Sequence, residues 1–141
     1  MSILDTKLKS DIAESATVTK LLKLNFKVLK PFGDRLPYDL GIDLNGRLIK
    51  LQVKSAWLSK QGFYTVDIRR TKTNRRIMKH ELYKRDDFDF AIIYIEELDI
   101  SYVVPIEIFL SFKSGIALVE KTGRQRKPRS SIYREAWHLI K

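Results

Sequence analysis

Residues 38–55 read YDLGIDLNGRLIKLQVKS, and the dipeptide at their centre, Asn45-Gly46, constrains the fold more than any other stretch. Asn and Gly tolerate positive φ, which the two-residue type I′ turn of a β-hairpin requires at both central positions. With that turn, residues facing each other across the strands have numbers summing to 91. Leu40 then faces Leu51 and Ile42 faces Ile49, so both strands present apolar side chains to one face. On the other face Asp39 is expected opposite Gln52, with Lys54 diagonally next to them and Gly41 opposite Lys50. One face builds a core, and the other gathers a carboxylate, an amide and an ammonium.

The flanking chain supplies what a hairpin needs to bury its apolar face. Residues 7–24 contain no Gly or Pro and predict a helix with Leu8, Ile12, Ala16 and Leu22 on its inner stripe, widened by Val18 and Leu21. Glu14 falls between the directions of Leu21 and Val18, where a half-buried carboxylate needs a partner, a proton or a metal. Asn25–Leu29 predicts a short strand, and the loop Lys30 to Pro37, punctuated by two prolines and a glycine, leads into the hairpin. Alternation over Phe63–Arg69 predicts a third strand, completing an antiparallel meander over 38–69. Residues 69–85 read as a polar loop with one helical turn near Ile77–Tyr83. Phe88–Ile95 is apolar almost throughout and predicts a central strand covered on both faces. Ser101–Val104 returns, Pro105 opens a short helix to about Phe112, and Ile116–Val119 predicts an edge strand. Ile132–Ile140 reads as a closing helix with Tyr133, Trp137 and Ile140 inward. Trp57 and Trp137 are both expected in the core. His80 and His138 read as structural or surface residues, and Asp43, beside the turn, as solvated.

Charge points to a partner. The net charge is +10, and residues 69–85 alone contribute +7 while residues 120–134 contribute +5. Two short segments therefore hold the entire excess, the footprint of a polyanion-binding surface. A length of 141 residues with 44% hydrophobic content suits a single domain, 1–141, with its own core. The absence of cysteine excludes disulfides and thiolate metal sites. The N-terminal stretch carries no secretory signal pattern, and no apolar run approaches a membrane span, so a soluble intracellular, cytoplasmic protein is expected.

A helix with Glu14, a strand entered at Asp39 and a strand carrying Gln52-Val53-Lys54 define a candidate chemistry. Carboxylate and amide oxygens are hard ligands suited to Mg²⁺, which takes few protein ligands and keeps several waters. Lys54 beside such an ion suits the orientation of water or the neutralisation of charge on a phosphate. The bland alternatives are a cross-strand ion pair between Asp39 and Lys54 and an idle helix carboxylate at Glu14.

The sequence resembles the PD-(D/E)xK nuclease superfamily, closest to the branch containing the cyanobacterial group I intron homing endonuclease. The resemblance rests on Asp11-Ile12-Ala13-Glu14, Lys30-Pro31-Phe32-Gly33-Asp34, Tyr38-Asp39-Leu40 and Leu51-Gln52-Val53-Lys54-Ser55. Asp87-Phe88-Asp89-Phe90-Ala91 and Tyr102-Val103-Val104-Pro105 continue it along the chain. It implies an α/β (α+β) fold, a mixed central β-sheet with an antiparallel hairpin core flanked by helices. It also implies Mg²⁺-dependent cleavage of double-stranded DNA, with Asp39, Gln52, Lys54 and Glu14 catalytic. Asp39, Glu14, Gln52 and the carbonyl of Val53 would hold the metal. The family's usual acid is Gln52 here, as it also is in the homing branch, so the site loses one negative charge. The two basic segments then become DNA-binding elements, with Arg69, Arg70, Lys72, Arg75 and Arg76 in the first. Arg124, Arg126, Lys127 and Arg129 form the second. A long homing target implies a homo-oligomer, a dimer or a tetramer. A Holliday-junction resolvase, a catalytically inactive DNA-binding module and an RNA-associated protein are the competing readings.

Overall fold

The computed structural model describes residues 3–73, 78–112, 115–120 and 128–141. The Asn45-Gly46 turn forms with φ of 54° and 84°, and the Gly46 amide donates to Asp43 Oδ1 at 2.8 Å. It joins β2 (Leu40–Leu44) to β3 (Arg47–Ser55) in the expected register, Leu40 with Leu51 and Ile42 with Ile49. All four of those side chains are buried. β1 (Val28–Leu29) adds antiparallel to β2, while β8 (Phe90–Ile95) runs parallel to β3 and pairs antiparallel with β9 (Ile100–Pro105). The result is a mixed five-stranded sheet of order β1-β2-β3-β8-β9. β8 is an interior strand, flanked by β3 and β9 and buried on both faces, as its nearly continuous apolar run predicts.

Each sheet face has its own core. On one face Leu21 from α1 (Ile3–Lys23) packs with Leu40, Ile42, Leu51, Ile92, Val103 and Trp137. On the other, Ala91, Ile93, Ile95 and Val104 pack with Phe88, with Ile106 and Phe109 at α2 (Ile106–Ser111), and with Val66, Ile116 and Leu118. Fully burying a side chain of this size contributes roughly 1.5–3 kcal/mol, which makes these two layers the main source of stability.

Five expectations are corrected. The helix's inward stripe is shifted: Leu21 and Val18 pack inward as expected, but with Ala13 and Thr17 buried beside them, whereas Leu8 and Leu22 are each 57% exposed. Small residues let the helix approach the sheet closely, and Thr17 satisfies its hydroxyl by donating to the Ala13 carbonyl at 2.8 Å. The 38–69 meander does not form. β3 takes β8 as its second neighbour, and β5 (Tyr64–Val66) joins β4 (Trp57–Leu58) and β10 (Ile116–Leu118) in a separate small sheet. Residues 69–85 are not a loop with a helical turn, because β6 (Arg69–Thr73) pairs antiparallel with β7 (Met78–Leu82). Neither segment alternates apolar with polar, so no hydrophobic period announces the hairpin.

The fourth correction concerns the C-terminus. In place of a helix over Ile132–Ile140 there are two 3₁₀ turns, Arg129–Tyr133 and Trp137–Leu139. Glu135 between them has φ of 51°, outside the helical region. Its backbone amide donates to the Ser101 carbonyl, and its carboxylate accepts from the Ser101 amide and from Trp137 Nε1, at 2.7–2.8 Å. The open edge of β9 thus captures the tail, since its unpaired amides and carbonyls need partners. Tyr133, Trp137 and Ile140 still pack inward, as expected. Trp57 does not; it is 44% exposed.

Candidate active site

Where β3 runs on past the start of β2, the polar face of the hairpin opens into a cavity of about 890 Å³. Glu14 reaches it from α1, and Asp39, Gln52, Val53 and Lys54 from the hairpin; Asp67, just after β5, closes the far wall. The structure therefore gathers Asp39, Gln52, Lys54 and Glu14 in one place, although they come from three segments of the chain.

Asp39 is held at both ends. Its backbone amide donates to the Leu51 carbonyl at 2.9 Å, and its Oδ2 accepts from the Val53 amide at 2.9 Å. Burial pushes its carboxyl above the usual range; the Val53 amide opposes this, and the nearby Glu14 charge adds to it. Glu14 is paired with Lys30 from the loop after β1. That pairing raises the Lys30 ammonium, which stays mostly exposed. Lys54 is half-buried. Burial lowers its ammonium to about 8, against the pull of Asp67 and then Asp39. Its Nζ donates to the Arg69 carbonyl at 2.9 Å and sits 4.9 Å from the centre of the Tyr83 ring.

Three participants escape a reading of the sequence. Lys30, Asp67 and Tyr83 lie on no periodic pattern that links them to the hairpin. The alternation over Phe63–Arg69 does put Asp67 and Arg69 on one side, but nothing local brings that side to Lys54. Asp67 Oδ1 accepts from the Arg69 amide at 2.8 Å and from Arg69 Nε at 3.1 Å, and these bonds hold its carboxyl below the usual range although burial opposes them. Asp43 is exposed, as expected, and serves the turn.

The basic segments divide. Arg69, Arg70 and Lys72 lie on β6. Arg75, Arg76, Arg124, Arg126 and Lys127 lie outside the described residues. Arg129 is engaged within the fold: its guanidinium stacks 4.1 Å from the Phe112 ring centre and donates to Ser111 Oγ at 2.7 Å. His138 is exposed. Among the described residues no helix is long and apolar enough to cross a membrane.

Among the described residues no group of three or more His, Cys, Asp or Glu side chains is arranged to hold a metal ion. Around Asp39 the cavity offers the Asp39 and Glu14 carboxylates, the Gln52 amide oxygen and main-chain carbonyls, an all-oxygen set. Such a set fits a hard divalent cation that retains water, and the mutual repulsion of Asp39 and Glu14 favours one.

Comparison with known proteins gives a consistent answer. A family model described as PD-(D/E)XK endonuclease matches residues 4–140. The solved structure of a bacterial homing endonuclease, I-Ssp6803I, is 57% identical, with 96% of this chain and 92% of that chain covered and a TM-score of 0.88. No curated protein matches. Nucleases of this kind act on DNA and typically use divalent metal ions. Because the match runs unbroken from α1 through the hairpin to the captured C-terminal tail, the chain belongs to the PD-(D/E)XK endonuclease family.

Proposed function

We propose that this endonuclease is a Mg²⁺-dependent, sequence-specific enzyme that hydrolyses phosphodiester bonds of double-stranded DNA in group I intron homing. The observation that carries the reading is Asp39, fixed by the Val53 amide in the same cavity as Glu14, Gln52 and Lys54. The description of the 57% identical structure as a homing endonuclease supports the biological role.

In this reading Asp39, Glu14, the Gln52 side-chain oxygen and the Val53 carbonyl hold the ion. A residue in a strand points its amide and carbonyl toward the same neighbour, so the Val53 amide that reaches Asp39 turns its carbonyl the same way. A bound Mg²⁺ would supply positive charge to the phosphate and acidify water. Lys54, held across the cavity, orients the attacking water or offsets charge developing on the phosphate oxygens. Gln52 contributes an oxygen without charge, so two carboxylates carry the site and metal affinity is correspondingly modest.

Arg69, Arg70, Lys72, Arg75 and Arg76, on and between β6 and β7, are the first DNA-binding element; Arg124, Arg126, Lys127 and Arg129 are the second. The whole chain, 1–141, acts as one nuclease domain, and a homo-oligomer, a dimer or a tetramer, spans the long target. The protein works in the cytoplasm on DNA.

The test is cleavage of a linear duplex carrying an uninterrupted intron-insertion site, with a four-way junction in parallel. Wild type with Mg²⁺ is expected to cut the duplex at one place, and EDTA, Asp39→Asn or Lys54→Ala to stop it. Tight duplex binding without cleavage under Mg²⁺ or Mn²⁺ would sink the reading. Preference for the junction would move it to a resolvase. Light scattering on the free protein checks the oligomer.

A further inference from the structure

Lys54 does not stand alone at the edge of the cavity. Its ammonium lies between the two ends of the β6–β7 hairpin. On one side Nζ donates to the carbonyl of Arg69, the first residue of β6; on the other it sits 4.9 Å from the ring centre of Tyr83, the residue after β7. Neither contact comes from the strands that carry Asp39 and Lys54. The position of the lysine is therefore set by a separate structural unit, the one that carries Arg69, Arg70 and Lys72.

Both ends of that unit are anchored. Arg69 is clamped by Asp67 through its backbone amide at 2.8 Å and through Nε and Nη2 at 3.1 and 3.3 Å. This three-point clamp holds the residue whose carbonyl receives the lysine. Tyr83 is buried in an edge-to-face trio with Phe88 and Phe109, at centroid distances of 5.1 and 5.9 Å. Such ring packing locks an aromatic plane in one orientation. The Arg69 guanidinium is about half exposed, so DNA phosphate can engage the same residue whose carbonyl holds Lys54.

We propose that the base of the β6–β7 hairpin positions Lys54, with Asp67 acting through its clamp on Arg69 and Tyr83 acting through its ring, so that placement of the lysine is tied to seating of the hairpin on DNA. This rests on the reading above that Lys54 takes part in cleavage. Asp67 and Tyr83 are positioning residues: each acts on the reaction through Lys54. The ammonium is strongly hydrated when free, and a half-buried ammonium offered one carbonyl and one ring face has few alternative positions. Loosening either support widens the range of positions from which it must reach the phosphate, and misplacement by about 1 Å is enough to cost roughly 100-fold in rate.

The experiment separates rate at saturation from binding. Single-turnover cleavage of the duplex target by the Mg²⁺-loaded protein is measured at saturating enzyme for Asp67→Ala, Tyr83→Leu and Tyr83→Phe. Duplex affinity is measured by anisotropy with Ca²⁺ in place of Mg²⁺ at one fixed salt concentration. The saturating rate should fall about 10- to 100-fold in Asp67→Ala and Tyr83→Leu. Tyr83→Phe, which keeps the ring, should recover most of what Tyr83→Leu loses, and duplex affinity should stay within about threefold throughout. Wild-type rates in both Asp67→Ala and Tyr83→Leu overturn the inference and leave the nuclease reading standing. So does a loss of affinity that matches the loss of rate, since that marks a hairpin scaffold alone. Should Tyr83→Leu fail to fold, Asp67→Ala, at a partly exposed position outside the two cores, decides by itself. A wild type that cuts nothing removes the nuclease reading first, and this inference with it.

Discussion

Replacing Lys54 with methionine should stabilise the metal-free protein. Burial brings the ammonium from 10.5 to about 8. At ~1.4 kcal/mol per pKa unit, keeping it charged costs the folded state roughly 3 kcal/mol near neutral pH. Methionine fills similar space without charge. It also forfeits the hydrogen bond to the Arg69 carbonyl, ~1 kcal/mol, and the positive charge that helps Asp39 ionise. The net gain is then about 1–2 kcal/mol, or roughly 3–8 °C in Tm for a chain of this size. The pH dependence is the sharper test. Below about pH 8 both folded and unfolded chains carry the lysine proton and wild type bears the full penalty. Between about 8 and 10.5 the unfolded chain binds more protons, so this contribution to wild-type stability climbs with pH. Urea unfolding in EDTA should therefore show Lys54→Met ahead at about pH 7, the gap shrinking above about pH 8 and wild type overtaking before about pH 10.5, with other titrations cancelling in the difference. A methionine variant less stable than wild type near neutrality, or a gap that ignores pH, refutes the reasoning.

Asp39→Asn should likewise raise Tm in EDTA at neutral pH while cleavage is lost. The folded pKa of Asp39 lies above its ordinary value, so wild type loses that stability as pH rises through it, and an amide avoids the loss while still accepting the Val53 amide. Gly46→Ala should lower stability by about 1 kcal/mol in urea unfolding: a Cβ there meets nothing within 4 Å, so the cost is the left-handed φ of 84° alone. Trp137→Ala should cost ~3–5 kcal/mol, because the ring fills the face shared by α1 and the sheet; Trp137→Phe isolates the lost bond to Glu135. Tyr94 is pushed up to about 12 by burial and by its hydroxyl's bond to Asp99, so its stabilisation is complete below about pH 10 and is lost as pH rises through 12. Tyr94→Phe should flatten that alkaline limb in thermal melts between about pH 10 and 12.

The hairpin from Tyr38 to Ser55 was legible residue by residue, because an Asn-Gly turn fixes register locally and a period of two then assigns every side chain to a face. Asp39, Gln52 and Lys54 followed from that register, and Glu14 from its angle on α1. The helix's inward stripe was legible only in part, at Val18 and Leu21. Leu8 and Leu22 are more apolar than Ala13 and Thr17, but close approach to the sheet selects small residues, which a hydropathy pattern counts as weak. The C-terminal tail misled for a related reason: its apolar spacing suits a helix, yet the free edge of β9 offers hydrogen bonds that only an extended Arg134 and a left-handed Glu135 can take.

By itself the sequence determined the chemistry on offer: a carboxylate, an amide and an ammonium on a turn-locked hairpin, a second carboxylate on the first helix, and a polyanion-seeking charge map. Tertiary structure alone decided the parallel pairing of β3 with β8 and the company Lys54 keeps, namely Asp67, the Arg69 carbonyl and the Tyr83 ring. Local turns and periods are written in neighbouring residues. A contact between segments 15 and 29 positions apart is chosen by the packing of the whole chain, and no short pattern records it.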